Sequence, residues 1–197
     1  CLRANGNFDE SLKYLNKAIQ LNPNYAEALI NRGLVSLAQG DKINALSDLE
    51  KAHSLKQHIK QIWYVILSIK LEFGQFEESM ILAEEMVKID PLDEKIISTL
   101  ALCHQSLKNY DQAVIYYNKA LNIEPGDLAS WTNLGSALKE QGKLKEAKEA
   151  YKKALSINPD HPEVYYNTGV ILQKQNKLQN AIEAYNTAIS IKPDYAE

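Results

Sequence analysis

The sequence predicts an all-α fold, an α-solenoid of stacked antiparallel helix-turn-helix repeats. Prolines recur on a 34-residue grid, at positions 23, 91, 125, 159 and 193, and Gln57 takes the place of the missing member. Within a period, apolar residues recur at the i, i+3, i+4, i+7 spacing of one helix face. A turn residue separates two such helices, and neither helix can bury its apolar face alone. The chain therefore grows by stacking units rather than by enlarging one core.

The first helix of a unit is clearest in the stretch that begins WTNLGSALKEQG. Trp131, Leu134, Gly135 and Leu138 lie three, four and seven residues apart, which places them on one stripe of a helix. Gly142 follows this stripe, and glycine enters the left-handed region without steric strain from a Cβ atom. The first helix is therefore predicted to end at Gly142.

The second helix follows in the stretch KLKEAKEAYKKALSINP. Ala147, Tyr151 and Ala154 repeat the helical spacing. Pro159 cannot donate a backbone hydrogen bond, and it disfavours helical geometry at Asn158. The second helix is therefore predicted to stop before Pro159, and the next unit to begin after it.

The grid divides residues 1–197 into a single array. The predicted units are a partial repeat at 1–25 and complete repeats at 26–59, 60–93, 94–127, 128–161 and 162–195. Ala196 and Glu197 repeat the start of the second unit, Ala26 and Glu27. We therefore expect the chain to be a fragment of a longer protein.

Capping residues and turn residues mark the predicted helix ends. Three pairs have capping-box spacing before a first helix: Asn24 with Glu27, Asp160 with Glu163, and Asp194 with Glu197. Asn176 replaces the turn glycine, and Asn tolerates the left-handed region, whereas Lys108 fits the same position less comfortably.

Repeat 60–93 departs most from the pattern. Leu67 stands where a close-approach glycine is expected, Ser79 and Met86 replace alanines, and Gln57 replaces the preceding proline. We therefore expect the least regular packing around residues 55–70.

The period and its residues resemble the tetratricopeptide repeat family. The aromatic, Leu-Gly, Ala, aromatic, Ala and Pro positions of repeats 128–161 and 162–195 match the family pattern nearly throughout. The resemblance implies a right-handed superhelix whose concave face, lined by first helices, receives an extended peptide or a partner helix. In this frame Gly135 and Gly169 allow close helix approach. The alanines that open space for the neighbouring aromatic are Ala147, Ala154, Ala181 and Ala188.

Polar and aromatic residues of the first helices are the candidate binding set. They are expected to line the concave face: Asn31, Tyr64, Lys95, Ser98, Thr132, Asn133, Ser136, Tyr166, Asn167 and Gln173. A side-chain amide both donates to and accepts from a peptide backbone, so spaced asparagines offer a sequence-tolerant grip.

Asn31, Asn133 and Asn167 share one repeat position, which resembles the asparagine ladder in the superhelix of O-linked N-acetylglucosamine transferases. Val65 and Thr99 interrupt the series. The other interpretation is that Asn is simply common beside Leu-Gly in such repeats, and both stay open. The two-carboxylate clamp of chaperone-binding repeats is not matched, because the corresponding positions are mainly apolar and hold one cation, Lys95.

Composition and motifs limit the possible functions. A net charge of -3 gives no general basic field, which argues against nucleic acid. The longest apolar run, Ile62 to Leu67, is far too short to span a membrane. The four histidines are scattered, no phosphate-binding glycine motif occurs, and Cys103 and His104 are adjacent on a helix and so point apart. We expect no catalysis, no cofactor and no metal.

The predicted function is a protein-protein interaction scaffold that binds a peptide segment or partner helix on its concave face. One alternative is the substrate-recruiting arm of a larger transferase, of glycosyltransferase type. Another is an architectural or self-associating spacer, with end-to-end stacking of the fragment. Two cysteines form no disulfide framework, and no N-glycosylation acceptor is present, which weakly favours the cytoplasm or another reducing compartment.

Overall fold

A computed structural model describes residues 8–55 and 59–196, apart from the side chains of residues 195 and 196. Within these ranges the chain forms eleven α-helices and one short 3-10 helix, and no strand. The predicted all-α solenoid is confirmed. Contacts between the helices divide the chain into two compact units, Cys1–Gln75 and Phe76–Glu197.

The first unit consists of four helices joined by short loops. They are α1 (Phe8–Leu21), α2 (Ala26–Ala38), α3 (Lys42–Leu55) and α4 (Lys60–Glu72). Helices α2 and α3 form an antiparallel hairpin, α1 packs on α2, and α4 packs on α3. Leu29 and Leu49 are fully buried in the hairpin, and a Cβ atom on Gly33 would lie only 2.9 Å from Leu49 Cγ. A small residue at position 33 therefore sets the helix separation.

The second unit contains seven helices and the 3-10 helix. They are α5 (Phe76–Ile89), α6 (Glu94–Ser106), α7 (Tyr110–Ile123), α8 (Leu128–Glu140), α9 (Leu144–Ile157), α10 (Pro162–Lys174), α11 (Leu178–Ile191) and the 3-10 helix Pro193–Ala196. Three antiparallel hairpins pair α6 with α7, α8 with α9, and α10 with α11. Helix α8 also contacts both α6 and α10, so these three first helices lie side by side.

Helix positions follow the 34-residue period. Helices α2, α4, α6, α8 and α10 begin at residues 26, 60, 94, 128 and 162, which are the first residues of the five predicted complete repeats. That these repeats form one continuous array stays a prediction.

The five turns that follow the first helices use the left-handed backbone region at the same repeat position. Gly40, Gly74 and Gly142 have φ angles of 83°, 71° and 77°, and Lys108 and Asn176 have φ angles of 61° and 59°. The predictions for Gly142 and Asn176 are confirmed. Lys108 adopts the same conformation although its Cβ atom costs about 1 kcal/mol there.

The capping prediction is wrong at α2 and α10. These helices follow Tyr25 and His161, whose side chains make no capping hydrogen bond, so Asn24 and Asp160 lie one residue too early. The third pair includes Glu197, which lies outside the described residues.

Two aspartates that the capping-box pattern missed do cap first helices. Asp93 accepts a hydrogen bond from the backbone N–H of Ile96 at 3.3 Å, and Asp127 accepts one from Ser130 at 2.8 Å. Neither aspartate is followed three residues later by Glu or Gln, so the capping-box pattern could not identify them.

The predicted small residues make the expected close contacts. A Cβ atom on Gly135 would lie 2.3 Å from the Tyr151 ring, and one on Gly169 would lie 2.5 Å from the Tyr185 ring. Glycine is therefore required where each tyrosine crosses the first helix. The four alanines of these two repeats are at most 3% exposed, which confirms their packing role: Ala147, Ala154, Ala181 and Ala188.

Repeat 60–93 keeps its helices despite its unusual residues. Leu67 is 3% exposed, and Ser79 and Met86 are buried in place of alanines. Gln57 lies outside the described residues, between the end of α3 and the start of α4. Looser packing around residues 55–70 stays a prediction.

Candidate peptide-binding surface

The first-helix face of the second unit, meaning the surface formed by α6, α8 and α10, carries most of the predicted binding residues. Behind it, Tyr117, Tyr151 and Tyr185 occupy one repeat position on α7, α9 and α11. Tyr117 and Tyr151 are 1% exposed, and the Tyr151 ring passes beside Gly135. The phenol rings therefore fill the hairpins and point their hydroxyl groups towards the first helices.

Two of these hydroxyls have partners on the first-helix face. The Tyr151 hydroxyl lies 3.1 Å from Ser136 Oγ, and the Tyr185 hydroxyl donates to Gln173 Oε1 at 2.9 Å. Burial raises the pKa of both phenols, so they stay protonated at neutral pH. Ser136 and Gln173 are thus oriented by the tyrosines behind them.

The third hydroxyl, on Tyr117, has no hydrogen-bond partner in the part of the chain that the structure describes. Burial raises the pKa of Tyr117, and the nearby Asn133 amide opposes this rise without reaching hydrogen-bond geometry. The half-buried Asn133 therefore lies beside an unsatisfied phenol on the first-helix face.

Asn167 is more enclosed than predicted and has an internal partner. It is 7% exposed, and its Oδ1 accepts a hydrogen bond from Lys139 Nζ at 2.8 Å. The Lys139 side chain is 14% exposed and lies 3.5 Å from the Glu140 carboxylate. Sequence reasoning missed Lys139, although it shares its repeat position with Gln105 and Gln173. This bond ties α8 to α10 and occupies one of the two acceptor positions of Asn167 Oδ1.

Tyr166 and Gln173 are open to solvent on α10. The Tyr166 side chain is 45% exposed, and its ring lies 5.6 Å from the Tyr185 ring at a tilted angle. An exposed aromatic ring that is held by a second ring offers a rigid apolar contact for a ligand.

Thr132 is not an accessible lining residue, contrary to the prediction. It is 3% exposed, and its hydroxyl donates to the Leu128 carbonyl at 2.9 Å. The hydroxyl is satisfied by its own helix and has no need of a ligand.

Lys95 and Ser98 lie on α6. Lys95 is exposed, and the Ser98 hydroxyl donates to the Lys95 carbonyl at 3.1 Å. Burial raises the pKa of the neighbouring Glu94 carboxyl. Lys95, the cation that the sequence predicts on this surface, faces solvent on α6.

The two remaining predicted residues belong to the first unit. Asn31 on α2 is exposed, and its Nδ2 donates to the Glu27 carbonyl at 2.8 Å, which leaves Oδ1 as the acceptor. Tyr64 on α4 is half-buried, and Lys60 Nζ lies 5.9 Å from its ring centroid. The structure groups eight of the ten predicted residues on α6, α8 and α10 and places these two elsewhere.

A groove on the other side of α8 was missed by the sequence analysis. It has a volume of about 610 Å³ and is lined by residues of α7, α8 and α9, with Trp131 and Leu134 among its apolar side chains. Lys145, Glu149 and Lys153 line it too. Its mixed charges give no single ligand preference.

Cys103 and His104 do not form a thiol-imidazole pair. Cys103 is buried, and burial raises the pKa of its thiol to about 11, so it is protonated at neutral pH. The His104 ring instead stacks on Tyr116 with centroids 5.3 Å apart. Among residues 8–55 and 59–196, no group of three His, Cys, Asp or Glu could hold a metal ion. In the same ranges no helix has the length and apolarity needed to cross a membrane.

Comparison with protein families identifies the repeats. A model described as TPR repeat matches residues 2–40 and 135–176, and one described as Tetratricopeptide repeat matches residues 162–195. A model for anaphase-promoting complex, cyclosome, subunit 3 matches residues 72–154.

Two proteins of Schizosaccharomyces pombe are similar in sequence. Anaphase-promoting complex subunit 3 is 21% identical over 124 residues, which cover 63% of this chain and 19% of that protein. Superkiller protein 3 is 23% identical over 142 residues, which cover 68% of this chain and 10% of that protein. The chain thus spans a small part of the relatives that it matches.

Solved structures share the fold. A MamA protein is 23% identical with a TM-score of 0.71, covering 81% of this chain and 87% of that one. YrrB, described as a TPR protein with an unusual peptide-binding site, is 22% identical with a TM-score of 0.71, covering 92% and 94%. MamA from Desulfovibrio magneticus RS-1 is 16% identical with a TM-score of 0.78, covering 87% and 97%.

The two repeat models together match about half of the chain, and the helices, turns and close-approach glycines recur at the family period. The chain belongs to the tetratricopeptide repeat family.

Proposed function

We propose that this chain is a non-enzymatic protein-protein interaction scaffold that holds an extended peptide segment of its partner on the first-helix face. The observation that carries the proposal is the row of amide and hydroxyl groups across adjacent helices: Asn133, Ser136 and Gln173, two of them oriented by tyrosines of the second helices. Such groups donate to and accept from any peptide backbone. Tyr166 adds an apolar contact for a side chain.

The names of similar proteins support the same class of function. YrrB is described as having a peptide-binding site, and anaphase-promoting complex subunit 3 is named as part of a complex. The net charge of -3 favours a protein or peptide over nucleic acid as the partner. Buried Cys103, together with the absence of a disulfide framework in the sequence, favours a reducing compartment such as the cytoplasm.

Selection of peptides tests the proposal. A library of random dodecapeptides is selected on the wild-type chain, and the peptide with the highest affinity is assayed against the triple variant Asn133→Ala, Tyr166→Ala, Gln173→Ala. We expect the variant to lose about tenfold or more in affinity, because aromatic and amide contacts dominate such grooves. Asn167 is left intact, since its removal would break the hydrogen bond from Lys139 that joins α8 to α10.

A matched control carries three changes at exposed positions of second helices, Lys152→Ala, Glu183→Ala and Asn186→Ala. It should bind the peptide as the wild type does, and circular dichroism should show the same helix content for all three proteins. Equal affinity of the triple variant and the wild type would remove the first-helix face as the binding surface.

Self-association remains a second proposal, because α11 exposes apolar side chains. Leu178, Ile182 and Ile189 are 57%, 51% and 40% exposed. If copies stack through this face, the mass measured by sedimentation should rise with concentration and should stop rising in an Ile182→Lys variant. A constant mass would contradict self-association.

The interpretation as a transferase arm draws in part on the asparagine series, and the members of that series are not equivalent. Asn31 donates to its own helix, Asn167 is bonded to Lys139, and Asn133 lies beside Tyr117. A ladder would need the same free amide in each repeat, so we prefer the general scaffold.

A further inference from the structure

Repeat 94–127 contains a buried pair of polar atoms without partners on the first-helix face. The Tyr117 hydroxyl and the Gln105 Oε1 atom are both enclosed, and neither has a hydrogen bond to any residue that the structure describes. Tyr117 itself is only 1% exposed. Most buried polar groups in folded proteins have partners, so these two unsatisfied atoms on the first-helix face require an explanation.

The last repeat shows how these two positions can interact. Tyr185 and Gln173 lie 68 residues after Tyr117 and Gln105, two full periods along the chain, and there the tyrosine donates to the glutamine at 2.9 Å. The same two side chains in repeat 94–127 therefore come from positions that meet on the first-helix face. Tyr117 and Gln105 do not bond to each other, although Tyr185 and Gln173 do.

The intervening repeat satisfies its tyrosine by another route. Tyr151 shares a hydrogen bond with Ser136, and the residue at the Ser136 position in repeat 94–127 is Leu102, which has no polar side-chain atom. Repeat 94–127 thus lacks the serine and does not use the glutamine. Among the described residues, neither the Tyr117 hydroxyl nor the Gln105 oxygen has a partner in hydrogen-bond geometry, and the Asn133 amide is the polar group beside the hydroxyl.

A peptide bond supplies both missing groups. From this complementarity we infer that Tyr117 donates to a carbonyl oxygen, and Gln105 accepts from an N–H group, of the peptide backbone bound between α6 and α8. This inference rests on the proposed function and names the point at which the peptide is anchored. Gln105 and Asn133 are only half-buried, so their side chains can rotate to admit the backbone. The free energy that the unpaired groups cost in the empty protein is recovered when the peptide binds.

The first part of the test uses the chain without peptide. Tyr117→Phe removes a hydroxyl that has no partner, so the melting temperature should stay the same or rise. Tyr151→Phe is the matched variant, since it removes a hydroxyl bonded to Ser136, and it should lower the melting temperature. Equal losses in the two variants would mean that Tyr117 is already satisfied inside the protein, and the inference would be wrong.

The second part uses the selected dodecapeptide as the probe. Tyr117→Phe and Gln105→Leu should each weaken its binding to the full chain by about five- to tenfold, the effect of losing one hydrogen bond. Tyr116→Phe makes the same chemical change one residue earlier, where the ring stacks on His104, and should leave the affinity unchanged.

Backbone methylation identifies the anchored amide. Each backbone nitrogen of the dodecapeptide is methylated in turn, and one position should weaken binding to the wild type but have no further effect on Gln105→Leu. If no dodecapeptide competes for the first-helix face, the proposed function fails and the inference fails with it. If the peptide binds there but Tyr117→Phe keeps the wild-type affinity, the inference alone fails.

Discussion

Repeats 26–59 and 128–161 each fold into an antiparallel hairpin, but at three matching positions one repeat has a polar side chain where the other has an apolar one. In the first, Arg32 forms a two-pronged ion pair with Asp48, with both N–O distances at 2.7 Å. The residues three periods later, Leu134 and Ala150, are apolar and buried. Next to them, buried Leu49 of the first repeat corresponds to Tyr151 of the second.

The exchange shows where each repeat places its directional contact. In repeat 26–59 a charged pair joins α2 to α3, and Arg32 also donates to Asn16 Oδ1 of α1 at 2.8 Å. In repeat 128–161 the phenol of Tyr151 crosses the hairpin and its hydroxyl meets Ser136. The ion pair of repeat 26–59 holds neighbouring helices together. The tyrosine of repeat 128–161 instead places a hydroxyl group at the surface proposed to bind peptide.

Removal of the Tyr151 ring should have the largest effect on stability. Tyr151→Ala empties the space beside Gly135, and we expect a loss of about 3–5 kcal/mol in the free energy of unfolding. Leu49→Ala in the first unit removes fewer atoms and should cost less, about 2–4 kcal/mol. Urea denaturation followed by circular dichroism measures both. A larger loss for Leu49→Ala would mean that the tyrosine does not dominate its hairpin.

The ion pair should contribute less than the ring, and it should be replaceable. Asp48→Asn leaves the Arg32 guanidinium group without its carboxylate and should cost about 1–3 kcal/mol, a value reduced because Arg32 is 28% exposed. The double variant Arg32→Leu, Asp48→Ala copies the residues of repeat 128–161 and should recover most of this loss. If the double variant is less stable than Asp48→Asn, the two repeats are not interchangeable at these positions.

The same two repeats show what the sequence could predict. Glycine and proline at a fixed period placed the helices and the left-handed turns, because backbone geometry depends on local residues. The stripe of small and aromatic residues likewise identified Gly135 and Tyr151 as contact positions. Periodicity therefore sufficed for the fold and for which helices form the candidate surface.

The polar contacts could not be predicted in the same way. Thr132 was predicted to line the binding surface, but it is 3% exposed and its hydroxyl donates to the Leu128 carbonyl of its own helix. Lys139 reaches Asn167 in the next repeat, and this depends on side-chain length and helix separation, which no residue pattern contains. The partners of Tyr117 and Tyr151 differ because of a single Leu-for-Ser change at residue 102, which the pattern treats as neutral.

Exchange of turn residues between the units should have a smaller effect. Lys108→Gly removes the strain of a φ angle of 61° and should stabilise the chain by about 0.5–1 kcal/mol after the larger chain entropy of glycine is included. Gly40→Lys in the first unit introduces the same strain, with no heavy atom within 4 Å of the added Cβ, and should destabilise it by a similar amount. Thermal denaturation measures both, and changes of equal sign would contradict this account.

The smallest expected effect is a difference between the two units in how their stability depends on pH. In the first unit, the hydrogen bond to Asp48 raises the pKa of Arg32, so Arg32 stays charged near neutral pH. In the second unit, burial lowers the pKa of His104 below its ordinary value of 6.5, and the charge of Glu84 opposes part of this shift. Folding therefore favours neutral His104, and its contribution to stability is complete above pH 6.5 and lost as the pH falls towards the lower folded value. His104→Gln cannot be protonated, so its melting temperature should decline less than that of the wild type between about pH 7 and pH 5. If the melting temperatures of the wild type and His104→Gln decline equally over this range, His104 is not the titrating group.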